Sequence, residues 1–319
     1  MNLRRLFFLA VIILTLSSAG CTVLFPNQAA TPIQAQKTVP APALNTATLP
    51  LATRTLPPQL ATAPAPTAIP SPQLSPTPGP VHPILVFPPY DSPGGYVLGA
   101  AQDGAWLPAS DAVALPPPQE KYTLYSALAS RGSAVGGEPV EEMICPSFWS
   151  VQIEHPAGVV AAIGADWNAL PRVPEELDVK NSGAVQQVLD FLSTQGITQT
   201  EVKIQRLLKA DLEGDGIPEL LVAASRFVEE TGHDVSPGDY SLILLYREGE
   251  AALPVVSDWY TQPGPMSFPD RFSLSGLLDL NGDGRLEILI EINGWEKTGA
   301  LAYTVDGAAL ENVLQARCP

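Results

Sequence analysis

Beyond residue 90 the chain alternates short apolar runs with turn signals. The runs are rich in Val, Leu, Ile and Tyr and are bounded by Gly, Pro, Asn or Asp, a pattern that suits strands. It predicts strands over 96–101, 105–107, 122–125, 151–153 and 159–164. Further strands are predicted over 202–210, 219–226, 241–247 and 252–257, and then over 272–279, 287–292, 300–305 and 310–314. Gln102-Asp-Gly104 joins the first two as a hairpin turn. One segment has helical spacing instead. Val185, Val188, Leu189 and Leu192 form an apolar stripe, Ser182 is placed to cap it, and Gly196 ends it. The stripe is expected to pack on a core. The pattern predicts an α+β fold, mostly antiparallel β with one main helix.

Residues 22–90 read as a different polymer. They hold 17 of the 34 prolines, much Thr, Ala and Ser, and no Asp or Glu. Such a composition buries no core and is expected to form an extended, disordered stalk. Ahead of it, Arg4 and Arg5 precede an apolar stretch from Leu6 to Leu16, which has the form of a secretory signal over residues 1–20. The following Ser18-Ala-Gly-Cys21 resembles a bacterial lipobox. That resemblance implies lipidation of Cys21, for example by palmitate, and an extracytoplasmic protein anchored to a bacterial cell membrane or outer membrane.

All 33 acidic residues lie beyond residue 90, against 13 of the 17 Lys and Arg. This strongly acidic balance argues against a nucleic-acid partner and against direct contact with an anionic lipid surface. With Cys21 assigned to lipid, Cys145 and Cys318 are left in a compartment that permits disulfides and are expected to pair. The folded region is expected to divide into a β-rich part over 91–180 and a helix with two repeat units over 181–319.

Those repeat units carry the strongest chemical signal. Asp211-Leu-Glu-Gly-Asp-Gly-Ile-Pro-Glu219 and Asp279-Leu-Asn-Gly-Asp-Gly-Arg-Leu-Glu287 both read D-L-[E/N]-G-D-G-x-x-E, 68 residues apart. Oxygen-bearing side chains at positions 1, 3, 5 and 9 suit a hard cation, with calcium the expected ion. An EF-hand requires a Glu at position 12, where this chain has Val222 and Ile290. The β-leaning runs after each loop point instead to strand–loop–strand hairpins. The alternative is a pair of ordinary acidic hairpin turns.

Residues 206–224 and 274–294 resemble the calcium-binding hairpins of FG-GAP and VCBS repeats, found on integrin-type β-propeller blades. The resemblance implies side-chain ligands Asp211, Glu213, Asp215 and Glu219 in the first loop, and Asp279, Asn281, Asp283 and Glu287 in the second. The carbonyls of Ile217 and Arg285 would serve as backbone ligands. Two blade-like units are expected, with a small atypical propeller as the alternative. Residues 91–319 as a whole resemble uncharacterised bacterial lipoproteins. The landmarks are Gly104-Ala-Trp106-Leu, Tyr122-Thr-Leu-Tyr125, Asp166-Trp-Asn-Ala-Leu-Pro-Arg172 and Gly238-Asp-Tyr240, and the resemblance supplies no activity.

The chain has no G-x-S-x-G, H-E-x-x-H or G-x-x-x-x-G-K-[ST] motif. Its three histidines, His82, His155 and His233, are expected in the stalk or in polar loops. The leading expectation is a non-enzymatic, lipid-anchored module with one or two structural Ca²⁺ ions, recognising an extracellular protein or glycan. A glycan-directed hydrolase would need a separate pair of carboxylates in a cleft. A carbohydrate- or peptide-binding module would use Asp166 and Arg172 around an aromatic floor at Trp167. The competing role for Trp167 is to anchor its loop to the core.

Overall fold

Alternating apolar positions along each strand leave one or both faces of every sheet in need of cover, and stacking supplies it. The computed structural model describes residues 78–88, 92–114, 120–198, 201–229, 232–295 and 297–318. The signal segment, Cys21 and most of the stalk lie outside the described residues. Within them the chain is mostly antiparallel β, in three sheets, with two helices. None of the described helices is long and apolar enough to cross a membrane.

The first sheet holds β1 (His82–Val86), β2 (Gly94–Gln102), β3 (Ala105–Pro108), β4 (Lys121–Tyr125), β5 (Ser130–Val135), β6 (Pro139–Glu141), β7 (Trp149–Gln152) and β8 (Ala161–Ile163). Its order is β5-β4-β8-β1-β2-β7-β6, with β3 paired to β2. β1 lies before residue 91, inside the stretch assigned to the stalk. Its Ile84, Leu85 and Val86 are buried between β2 and β8, so apolar burial overrides the surrounding prolines. The sheet curls strongly. β5 at one end of the order runs through residues 136–138 into β6 at the other. Gly136 N donates to Glu120 O and Gly137 N to Gln152 O along the way. The concave side encloses Leu85, Val97, Tyr122, Leu124 and Val151 with the short helix α1 (Ala109–Ala112).

The second sheet, β13-β12-β11-β10-β9, comprises β9 (Glu175–Glu176), β10 (Ile204–Ala210), β11 (Glu219–Arg226), β12 (Tyr240–Tyr246) and β13 (Leu253–Trp259). Helix α2 (Ser182–Thr194) covers one face through Ala184, Val188, Phe191 and Leu192. Asn181 is its cap, accepting from Gly183 N and Ala184 N, one residue before the expected Ser182.

The third sheet is a four-stranded meander of β14 (Arg271–Leu278), β15 (Glu287–Gly294), β16 (Lys297–Asp306) and β17 (Ala309–Cys318). It lies between the other two. Leu289, Ala300, Ala302, Leu314 and Ala316 face the first sheet. Ile288, Ile290, Ile292, Leu301 and Val305 face the second. Successive residues of one strand thus serve two different cores. Cys145 and Cys318 form a disulfide with Cα atoms 5.3 Å apart, as expected from the cysteine count. It ties the turn after β6 to the end of β17.

Candidate functional site

Each nine-residue motif spans the hairpin at the same end of its sheet. The first joins β10 to β11, with Ala210 paired to Glu219; the second joins β14 to β15, with Leu278 paired to Glu287. Val222 and Ile290, the positions where an EF-hand would need Glu, are buried in β11 and β15.

The two loops are built alike. Asp211 Oδ1 accepts from Gly214 N at 2.6 Å and its Oδ2 from Gly216 N at 3.0 Å. Asp279 repeats this with Gly282 N at 2.7 Å and Gly284 N at 2.9 Å. Asp215 and Asp283 each accept from the amide two residues on, Ile217 and Arg285, at 2.8 Å. Glu219 and Glu287 reach back to the position-2 amides, Leu212 N at 2.9 Å and Leu280 N at 2.8 Å. The four loop glycines have φ between 78° and 88°, in the left-handed region that strains a side-chain-bearing residue.

The two loops also touch each other, which the sequence did not suggest. Leu286 N donates to Leu212 O at 2.9 Å. The segment 166–172, arriving from β8, braces the junction. Arg172 donates to Asp211 O at 2.7 Å, Leu212 O at 3.2 Å and Gly284 O at 2.7 Å, so one guanidinium joins both loops. Trp167 Nε1 donates to Asp279 O at 2.9 Å. Its ring lies edge-on to His82 and against Gly282, where a Cβ would come within 2.9 Å of it. Trp167 is therefore an anchor, and its indole N–H is already engaged. Asp166 is exposed and makes no part of this brace. The expected polar pocket around an aromatic floor is not what the three residues form. Arg172 points into the protein because backbone carbonyls at the loop junction need donors.

Electrostatically the loops differ. Glu219 is raised by burial, an effect opposed by the Leu212 amide and by Arg247. Burial also raises Asp279. Glu287 is fully buried, and burial, reinforced by Asp283 and Asp279, pushes it up to about 8. Its Oε1 has no hydrogen-bond partner. A buried carboxylate oxygen without a donor is costly. A hard cation would satisfy it, with an all-oxygen donor set in Asp279, Asn281, Asp283 and Glu287, so the second loop's residues fit such an ion chemically. As they stand, no three Asp, Glu, His or Cys side chains among the described residues are gathered as a metal-holding group. Most of the loop oxygens are turned onto backbone amides instead.

Two other acidic features lie away from the loops. Phe87, His155, Arg206, Ser275 and Glu291 are among the residues lining a cavity of about 360 Å³. Glu291 is the single carboxylate in that lining, whereas glycoside hydrolysis generally uses two. Burial pushes Glu291 up to about 7, opposed by the hydrogen bond from Asn293. Asp258 is raised by burial and then by Asp270. Asp270 is itself held by Lys297 at 3.3 Å and by Arg317, an arrangement that serves the structure.

Glu291 gives a testable pH dependence. Its folded-state value of about 7 stands above the ordinary carboxylate value of 4.5. Between these values the folded protein holds a proton that the unfolded chain has lost, so stability falls as pH rises through the window. Glu291→Gln is expected to be more stable than the parent at pH 8 by on the order of 2 kcal/mol, since each pH unit between the folded and unfolded values is worth about 1.4 kcal/mol and a partly wet cavity screens some of it. The difference should shrink towards pH 4.5 in urea unfolding series. A pH-independent difference would refute it.

Among protein-family models, curated proteins and solved structures, none matches this chain.

Proposed function

We propose that this chain is a lipid-anchored, extracytoplasmic binding or scaffold module, not an enzyme, whose acidic domain is stiffened by structural Ca²⁺. The observation that carries the metal reading is Glu287: a buried carboxylate with one unpartnered oxygen, at position 9 of a loop whose other oxygens come from Asp279, Asn281 and Asp283. Each loop joins the first two strands of an antiparallel meander, β10 to β13 within the five-stranded sheet and β14 to β17 as the whole of the third, which supports reading 204–259 and 271–318 as two blade-like repeats. When bound, the cation would neutralise the clustered carboxylates. The protein's own task there is positioning: Trp167 and Arg172 hold both loops to one brace, so ordering either loop stiffens the junction of all three sheets.

The lipobox-like Cys21 and the proline-rich segment after it support membrane attachment at a distance. An open, polar-lined groove of about 830 Å³ supports a binding role. It lies between β5 and residues 152–156, where Arg131, Ser133, Gln152, Glu154 and His155 face it. Its polarity suits an extracellular protein or glycan.

A thermal melt of the full chain in EDTA, then in graded Ca²⁺ with Mg²⁺ as control, tests the metal reading. A melting temperature that climbs with Ca²⁺ is expected, because an ion at 100 times its Kd contributes about 2.7 kcal/mol to the folded state. A flat response to millimolar Ca²⁺ would reduce both motifs to acidic turns.

A further inference from the structure

The two loops share a backbone but not a charge environment. Tyr246 of β12 pairs with Leu220, and Tyr303 of β16 pairs with Ile288. One residue beyond these pairs come Glu219 and Arg247 in the first unit, and Glu287 and Thr304 in the second. Arg247 lies 3.3 Å from Glu213 Oε2 and 3.6 Å from Glu219 Oε1. The other Glu213 oxygen accepts from Gly307 N at 2.7 Å. Both position-3 and position-9 carboxylates of the first loop are thus committed to a guanidinium that the chain supplies itself.

A second matched position differs in the same sense. The Cβ direction of Gly214 meets the Arg172 guanidinium, whereas that of Gly282 meets the Trp167 ring. Arg172 Nε also lies 3.9 Å from Asp211 Oδ2. Arg172 does reach the second loop, but at the Gly284 carbonyl. The second loop's own arginine, Arg285, turns outward to Asp306 at 3.3 Å. Among the described residues no cationic side chain pairs with Glu287, whose Oε1 is left without a partner.

We propose that the loops have diverged in how they are neutralised: Arg247 takes the place of a metal ion in the first loop, and the second loop alone takes one divalent cation. This rests on the calcium reading above and sharpens it to one ion per chain, at a named loop. A guanidinium offers fixed planar donors that match two carboxylates. A divalent ion added beside it would meet a positive charge and a Glu213 already bonded twice.

Equilibrium dialysis of the full chain against ⁴⁵Ca²⁺ reads the stoichiometry directly. One ion per chain is expected. Asp283→Asn, an exposed change in the second loop, should weaken that ion by about tenfold or more through loss of a charged ligand. The equivalent Asp215→Asn should leave its affinity within about twofold, since no ion is bound there. Terbium supplies an independent signal, because Trp167 bonds to Asp279 O and packs on Gly282, both in the second loop: Tb³⁺ emission excited through tryptophan should fall in Trp167→Phe and in Asp283→Asn, but not in Asp215→Asn. Two ions per chain, or one ion sensitive to Asp215→Asn and indifferent to Asp283→Asn, would overturn the inference while leaving calcium binding standing. No bound ion in the parent protein would overturn the calcium reading itself.

Discussion

Replacing Cys318 with Ser, or reducing the Cys145–Cys318 bond, is expected to lower the unfolding free energy by about 5 kcal/mol, the chain-entropy value for a loop this long. The two cysteines are 173 residues apart in sequence, so the bond restricts most of the unfolded domain. Its folded-state role adds to this. Both cysteines are buried in the core shared by the first and third sheets. Cys318 ends β17, the outermost strand of its sheet, whose pairing with β16 runs from Ala309 to Cys318. Without the tie, the end of that strand has one side of pairing to hold it. Guanidinium unfolding with and without a reductant should show a lower midpoint for the reduced form and a steeper dependence on denaturant, because the unfolded chain exposes more surface. Coincident curves would show that the bond is dispensable.

The second large effect is expected at Arg172. Arg172→Ala removes the donor for three carbonyls, those of Asp211, Leu212 and Gly284. It also removes the only side chain among the described residues shown bonding to both loops. Hydrogen bonds from a charged donor contribute more than neutral ones, and a partly buried site readmits some water. The expected loss is about 3 kcal/mol. Arg172→Lys should recover little of it, since an ammonium lacks the planar fork that reaches acceptors in two directions. Hydrogen exchange at Gly214, Gly216, Gly282 and Gly284 should accelerate together in Arg172→Ala. A loss confined to one loop, or a stability change under about 0.5 kcal/mol, would show that the loops are held independently.

Long strands with a buried face were mostly legible in the sequence, and short or exposed ones mostly were not. The predicted runs over 202–210, 219–226, 272–279 and 287–292 coincide within a few residues with β10, β11, β14 and β15. The strands missed elsewhere are β5, with five of its six residues exposed, and the short β6 and β9. Such edge strands are set by neighbouring backbones and leave no alternation to read. β1 is buried but sits against a proline-rich segment, whose composition outweighed a four-residue apolar run. At the site, the placing of both loops in strand–strand hairpins followed from spacing, whereas the turning of their oxygens onto backbone amides did not. The brace did not, because Arg172 and Trp167 bond to carbonyls, which carry no sequence identity. Arg247 had a faint signal: aligning the copies on Tyr246 and Tyr303 puts an arginine where the second copy has Thr304.

The third sheet lies between the other two in space but after both in sequence. A chain that lengthens from its N-terminus therefore completes the strands of both outer layers before the layer that separates them exists. Until residues 271–318 arrive, the faces bearing Ile84, Leu98 and Ile163 on one side, and Leu208, Leu221 and Ile243 on the other, have no partner. Folding of this domain is in that sense deferred. The last fifty or so residues act as the keystone, and a chain stopped short of them would hold two unsealed, adhesive half-domains.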